Sequence, residues 1–258
     1  MGQPNHIDFI IIGAQKAGTT AAAHNLNKHP NISVFNSITE YGQHEIEFFN
    51  QHWERGSKWY FQQLPQTDGI KGEKTAELLH RTICHKRIFD TQPTVKLIVL
   101  LRNPIDRAYS QWRMAFLHKR DETRSFEEVI LEEYRQIDTQ EYKDRFYQCK
   151  GLEISCWREG YIIKGFYCDQ LKNLLVYFPP DQVHVAISEQ VIRNKRMEYN
   201  KMFSFLNVTE FDTEFEEKFI GKPGDKMNEK CYGILEEIYS RENDKLFNFL
   251  GYEISEWE

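Results

Sequence analysis

Two short stretches of this chain are apolar at consecutive positions rather than at every second one. They are Asp8–Ile12 and Lys96–Leu101 (KLIVLL). Runs of that kind suit central parallel strands covered on both faces. Gln182–Ile187 (QVHVAI), after the turn-forming FPPD, predicts a third strand. Between and after them the spacing predicts helices over Thr19–Lys28, Ala76–Phe89, Ile105–His118, Ser125–Arg135, Gly165–Tyr177 and Glu229–Leu250. Ser125-x-x-Glu128 supplies a capping box for the fourth of these. Strands alternating with helices predict an α/β fold, a central parallel sheet flanked by helices in three layers. No repeat, low-complexity tract or Pro/Gly/Ser-rich linker interrupts the 258 residues, so a single domain over 1–258 is expected.

Ligands of such sheets bind beyond the C-terminal ends of the strands. Both special segments of the sequence lie there. The first is IIIGAQKAGTT (10–20), where Gly13 and Gly18 have the spacing of a Walker A loop. In that loop the lysine follows the second glycine; here it is Lys16, inside the loop, and Thr19 and Thr20 follow Gly18. The cradle keeps its physics, because glycines let backbone N–H groups turn inward and the next helix presents its positive end. A tight strand-to-helix turn with a solvated lysine is the bland alternative. The second segment is LLRNPIDRAYSQW (100–112). Arg102 leaves a buried-type strand, Pro104 opens a helix, and Ser110 lies on that helix. A guanidinium and a hydroxyl make a second anion site, with Arg107 as an alternative donor. A surface pair of Arg102 or Arg107 with Asp106 is the competing explanation.

Composition narrows the partners. A formal net charge of −6 argues against nucleic acid or another long polyanion. No stretch reaches the ~18 uninterrupted apolar residues of a membrane span, and the N-terminus has no secretory pattern. The five cysteines, Cys84, Cys149, Cys156, Cys168 and Cys231, are odd in number and form no CxxC pair; Cys149 and Cys156 are close enough in sequence to pair, but idle thiols in a reducing compartment are favoured.

Taken together, IIIGAQKAGTT and KLIVLLRNPIDRAYSQW resemble the 5′- and 3′-phosphate-binding segments of sulfotransferases that use 3′-phosphoadenosine 5′-phosphosulfate (PAPS). The likeness is to the heparan-sulfate type, the Golgi carbohydrate sulfotransferases and their bacterial relatives. HEIEFFN (44–50), GSKWYFQQLP (56–65), GEKTAELL (72–79), KGFYCDQLKNLLVYFPPDQVHV (164–185) and ILEEIYSRENDKLFNFLG (234–251) resemble further segments of that family, so the resemblance covers nearly the whole chain. It implies a P-loop-like fold related to nucleotide kinases. It also implies an enzyme of EC 2.8.2 type that leaves adenosine 3′,5′-bisphosphate and needs no metal.

Residue by residue, the resemblance makes Lys16 the cation beside the departing 5′-phosphate. Gln15, Ala17, Gly18, Thr19 and Thr20 hold that phosphate, and Arg102 and Ser110 hold the 3′-phosphate. Glu45 is the base that takes the acceptor's proton, and Lys74 positions the acceptor side. His44 is a rival base, since its unperturbed pKa lies near ~6.5; it stands where the family has lysine. An exposed carboxylate for Glu45 and a salt bridge to Glu73 or Glu77 for Lys74 are the plain alternatives. Departures from the family pattern fall at Glu47 and Asn50, on the acceptor side. They fall also at FIGKPGDKMNEK (219–230), where Lys222, Gly224 or Lys226 replaces the family's K-G-R stretch. Phe215 and Phe219 are the aromatic candidates for adenine. The expected acceptor is a carbohydrate or small molecule. The compartment is cytoplasmic if Met1 is the native start, or the Golgi lumen if an anchor preceded it. Two other functions stay open, a P-loop nucleotide kinase and a non-catalytic nucleotide-binding module. The kinase needs a lysine after Gly18 and an aspartate to hold magnesium, and Thr19 and Arg102 occupy those places.

Overall fold

The structure, a computed structural model, describes residues 5–35, 37–39, 42–119, 122–148, 159–216 and 227–257. The apolar run of β1 (Phe9–Gly13) is buried at all five positions. It occupies the centre of a parallel sheet with β2 (Ile32–Val34), β5 (Ile70–Lys74), β6 (Lys96–Leu101) and β7 (Val183–Ile187), in the order β2-β5-β1-β6-β7. A separate two-stranded ribbon joins β3 (Ser37–Thr39) to β4 (Gly42–His44). Phe9 faces Gly72 on one side and Lys96 on the other. A Cβ on Gly72 would lie 2.2 Å from the Phe9 ring, so only glycine lets these two strands pair with that ring between them.

Among the described residues the helices are α1 (Thr19–Leu26), α2 (Gly56–Gln63), α3 (Thr82–Thr91), α4 (Pro104–Arg113), α5 (Phe126–Tyr134), α6 (Gln140–Tyr147), α7 (Tyr167–Leu174), α8 (Ser188–Arg193), α9 (Lys195–Phe205) and α10 (Glu229–Leu250). They cover the sheet, and a second apolar cluster joins α4, α5, α6 and α10 through Ile105, Ile130, Phe146 and Leu235. Among the described residues no helix is long and apolar enough to cross a membrane. Both halves of the expected capping box form: the Ser125 N–H donates to Glu128 Oε2 at 2.7 Å, and Glu128 N–H to Ser125 Oγ at 3.3 Å. α4 is shorter than its sequence pattern, and the chain continues from it as a π-helix over Met114–Lys119.

One expected helix is displaced. Residues 76–80 are turn rather than the start of a helix over Ala76–Phe89, and α3 begins at Thr82. The reason is competition from the sheet. Thr75 N–H donates to Ile11 O at 3.0 Å and Leu79 N–H to Ile12 O at 2.8 Å, so the segment follows β1 past the end of β5. β5 itself, with the sequence IKGEK, has no apolar run, yet it lies next to the central strand.

Candidate active site

The loop after β1 turns through two left-handed residues, Lys16 at φ 71° and Gly18 at φ 82°. Such a conformation is cheap for Gly18 and costs Lys16 roughly 1 kcal/mol. Its carbonyls are held from outside. The Arg102 guanidinium donates to Lys16 O at 3.1 Å, and the buried Ser188 hydroxyl donates to Ala17 O at 2.7 Å. Two of the loop's N–H groups are used within the protein: Ala14 N–H donates to Leu100 O at 2.7 Å, and Ala17 N–H closes the turn on Ala14 O at 3.1 Å. The first intrahelical bond of α1 runs from Ala22 N–H to Gly18 O, at 3.0 Å. The N–H groups of Thr19 and Thr20 therefore precede the helical ladder, at the positive end of the helix. The Thr19 side chain is buried and that of Thr20 half-buried. Gln15, expected at the phosphate, turns its amide into the protein, where Nε2 donates to Glu77 Oε1 at 3.2 Å. Its main chain stays in the loop.

Arg102 is half-buried at the end of β6, and Tyr167 Oη donates to its carbonyl at 2.9 Å. Asn103 caps α4 by accepting from Ile105 N–H at 2.9 Å, with Pro104 in the first turn. Ser110 stands one turn before Met114, whose sulfur lies 3.4 Å from Lys16 Nζ. Residues four apart share a helix face, so Ser110 lies on the side of α4 that meets the loop. Arg107 is not an anion donor. It is fully buried, and its guanidinium donates to Gln111 Oε1 at 2.9 Å and to the Tyr161 carbonyl.

The third group sits at the end of β5. Lys74 Nζ donates to Glu45 Oε1 at 2.5 Å, and Ala76 N–H reaches the same oxygen at 3.3 Å. The Glu45 side chain is 18% exposed and that of Lys74 only 5%, so this is a sheltered pair. Lys74 does not pair with Glu73, which is buried on the other side of β5. There Glu73 accepts from Tyr60 Oη at 2.8 Å and from Thr75 Oγ1 at 3.2 Å. Burial, with the nearby Glu45 charge adding to it, pushes the Glu73 carboxyl up to about 7, while its two hydroxyl partners and Lys74 oppose the rise. Because β5 and β6 flank β1, the Glu45–Lys74 pair, the loop and Arg102 share one edge of the sheet.

Glu47 accepts from Gln51 Nε2 at 2.7 Å, and Asn50 is buried. Phe215 stacks one face on Tyr199, with ring centroids 4.4 Å apart. Lys222, Gly224, Lys226 and Phe219, like Cys149 and Cys156, lie outside the described residues, as does the His44 side chain. A cavity of about 1070 Å³, lined by His184, Lys195, Lys201 and Phe205 among others, includes none of the strand-end residues above. Three cations along its wall are paired with carboxylates, Arg193 with Glu256 at 3.1 Å, Arg196 with Asp212 at 2.8 Å and Lys201 with Glu198 at 2.6 Å. Sequence reading offered Glu77 only as a possible partner of Lys74 and did not single out Arg81 or Lys164; together the three form a buried polar group beneath the loop. Glu77 and Lys164 lie within GEKTAELL and KGFY, but Arg81 lies beyond the first of these segments.

The family model described as "Sulfotransferase domain" matches residues 6–220. The membrane-associated sulfotransferase kil1 of Dictyostelium discoideum is 26% identical over 95% of this chain and 65% of its own length. The human bifunctional heparan sulfate N-deacetylase/N-sulfotransferase 3 is 30% identical over 78% of this chain and 22% of its own. The chain thus spans under two-thirds of the first relative and about a fifth of the second. Among solved structures, a sulfotransferase from Alicyclobacillus acidocaldarius superposes with a TM-score of 0.74, at 24% identity and over 98% of both chains, which establishes the shared P-loop-like α/β fold. On the match of the family model, this chain belongs to the sulfotransferase domain family.

Proposed function

We propose that this chain transfers a sulfuryl group from PAPS to an acceptor hydroxyl or amine, on a carbohydrate or small molecule. The observation that carries the reading is the meeting of the two anion segments, Arg102 touching the main chain of Lys16. It supports one ligand with two phosphates rather than two unrelated sites. The residues present fit such a ligand. The loop and the start of α1 offer an ammonium and the Thr19 and Thr20 N–H groups that precede the helical ladder, and the strand end offers a guanidinium with a hydroxyl on the following helix.

When bound, PAPS supplies the sulfuryl group and a good leaving group. The protein's share is positioning and charge, as in phosphoryl transfer. Lys16 and the start of α1 hold the 5′ side, with Thr19 and Thr20; Arg102 and Ser110 hold the 3′ side. Lys74 and the Ala76 N–H both act on Oε1 of Glu45 and fix its carboxylate. Oε2 is therefore the oxygen we assign to the acceptor proton. General-base help of this kind is worth about 10²–10⁴ in rate. The acceptor class is carried over from the carbohydrate-directed relative named above. The acidic balance of the chain favours a neutral sugar, lipid or small alcohol over a heavily sulfated polymer.

The test is turnover of labelled PAPS across a panel of hydroxyl and amine acceptors. Transfer to at least one of them, lost in Lys16→Ala, supports the reading. Tight bisphosphate binding with no transfer to any acceptor favours the non-catalytic module instead.

A further inference from the structure

Lys164 has no part in the reading above, yet it is among the most enclosed cations of the molecule. It lies in the 3-10 turn Ile163–Gly165 that leads into α7, and it is 2% exposed. Its ammonium is 3.3 Å from Gln15 Oε1 and 4.0 Å from Glu77 Oε1. Gln15 Nε2 donates to that same Glu77 oxygen at 3.2 Å. The three side chains close a triangle. The amide oxygen faces the cation and the amide NH2 faces the carboxylate, so Gln15 has one correct orientation. Glu77 is anchored in turn by Arg81 Nη2 at 2.9 Å.

An ionic cluster at this depth is seldom the cheapest way to fill a core. Apolar residues of like volume often serve as well or better. The triangle does something an apolar core cannot: it grips the side chain of a loop residue. Gln15 immediately precedes Lys16, and Glu77 lies three residues after Lys74. The cluster thus joins the two segments that carry the proposed chemistry, from 149 positions away in the chain.

We propose that Lys164 is a positioning residue for the donor loop. Through Gln15, with Glu77 as their common partner, it holds residues 13–18 in the anion-binding form and ties them to the strand end that bears Lys74 and Glu45. The word donor rests on the function proposed above; the clamp itself does not.

The charged surroundings make the clamp sensitive to pH. Lys164 faces Glu77 and Arg81 from the segment after β5, Arg107 from α4 and Glu133 from α5, with the buried His80 beside it. Burial lowers its ammonium to about 8; Glu77 opposes the fall, Arg107 and Arg81 assist it, and Glu133 opposes it. The same surroundings hold His80 well below its ordinary value, so it stays neutral through this range. Above about pH 8 the ammonium loses its charge, and with it the pull on Glu77 and the charge assistance of its bond to Gln15.

The decisive experiment is hydrogen exchange of the amides of residues 13–20 in the ligand-free protein, for wild type and Lys164→Met, at pH 7 and pH 9. Exchange in the variant at pH 7 should be about tenfold faster than in wild type. After correction for intrinsic rates, wild type at pH 9 should approach the variant, and Lys164→Arg, which keeps its charge, should resist that change. Gln15→Leu should copy Lys164→Met, and it stands in if the lysine variant fails to fold. Loop exchange unchanged in these variants overturns the clamp, whatever the ligand does. Calorimetry with adenosine 3′,5′-bisphosphate separates the two claims. The clamp predicts about tenfold weaker binding in Lys164→Met. A wild type that does not bind the bisphosphate overturns the donor reading while the exchange data still judge the clamp.

Discussion

The guanidinium of Arg102 donates to the main-chain carbonyl of Lys16 across 3.1 Å, joining the end of β6 to the loop after β1. On the function proposed above, Arg102 has two tasks, to attract the 3′-phosphate and to hold the loop by this carbonyl. A charge-assisted hydrogen bond contributes about 1.5–3 kcal/mol. Arg102→Ala should weaken bisphosphate binding by roughly 10–100-fold on that scale. Arg102→Lys keeps the charge without the planar fork, and calorimetry should place it between the two.

Ser188 does the same for the neighbouring carbonyl, from the far end of β7. Its hydroxyl reaches Ala17 O at 2.7 Å within a buried site. Ser188→Ala removes a donor and leaves that oxygen without it, at a cost of about 1 kcal/mol. Thermal unfolding of the ligand-free variant should show this loss, and bisphosphate affinity should fall about fivefold. Unchanged affinity would mean that the loop holds its form without Ser188.

Glu45→Gln tests the base. Glutamine keeps an oxygen for Lys74 and for the Ala76 N–H, so the side chain should stay in place. Turnover should drop by about 10²–10⁴, while bisphosphate affinity changes less than about twofold. If Glu45→Gln keeps full activity and His44→Ala loses it, the proton goes to His44 instead.

Glu73 gives a prediction about pH and stability. Its carboxyl rises from an ordinary 4.5 to about 7 in the fold, chiefly through burial. Between these values the folded state binds more protons than the unfolded one. Stability must then fall as pH rises through that window and level off above about 7. Glu73→Gln cannot ionise and can still accept from Tyr60 and Thr75. Denaturant titrations should find the variant gaining on wild type between pH 5 and pH 8, with the difference flat below about 4.5. A constant difference across that range would contradict the buried protonated carboxyl.

Much of this arrangement was legible before any coordinates. β1 and β6 announce themselves because helices cover both of their faces and, Lys96 apart, no position is polar. The loop and Arg102 follow from those strands, since parallel strands put their C-terminal ends on one edge. β5 was not legible, because Lys71, Glu73 and Lys74 are buried in a strand with no apolar run. What makes their burial tolerable is Tyr60 on one side and Glu45 on the other, partners that no local window contains. The displaced helix at 76–81 has a related cause, in hydrogen bonds to β1 that outcompete a helical start. The Lys164 triangle was hidden for the strongest reason. Its members come from three distant segments, and only the closed fold brings them together.

The central claim is that one nucleotide bridges Lys16 and Arg102, and ligand-dependent thermal unfolding tests it most directly. Adenosine 3′,5′-bisphosphate at about 100 times its Kd should stabilise the protein by roughly 2.7 kcal/mol. Adenosine carrying a 5′-phosphate alone or a 3′-phosphate alone should stabilise less at equal concentration. Lys16→Ala should lose the response to the 5′-phosphate form, and Arg102→Ala the response to the 3′-phosphate form. A monophosphate that matched the bisphosphate, or magnesium ATP that surpassed it, would contradict the account.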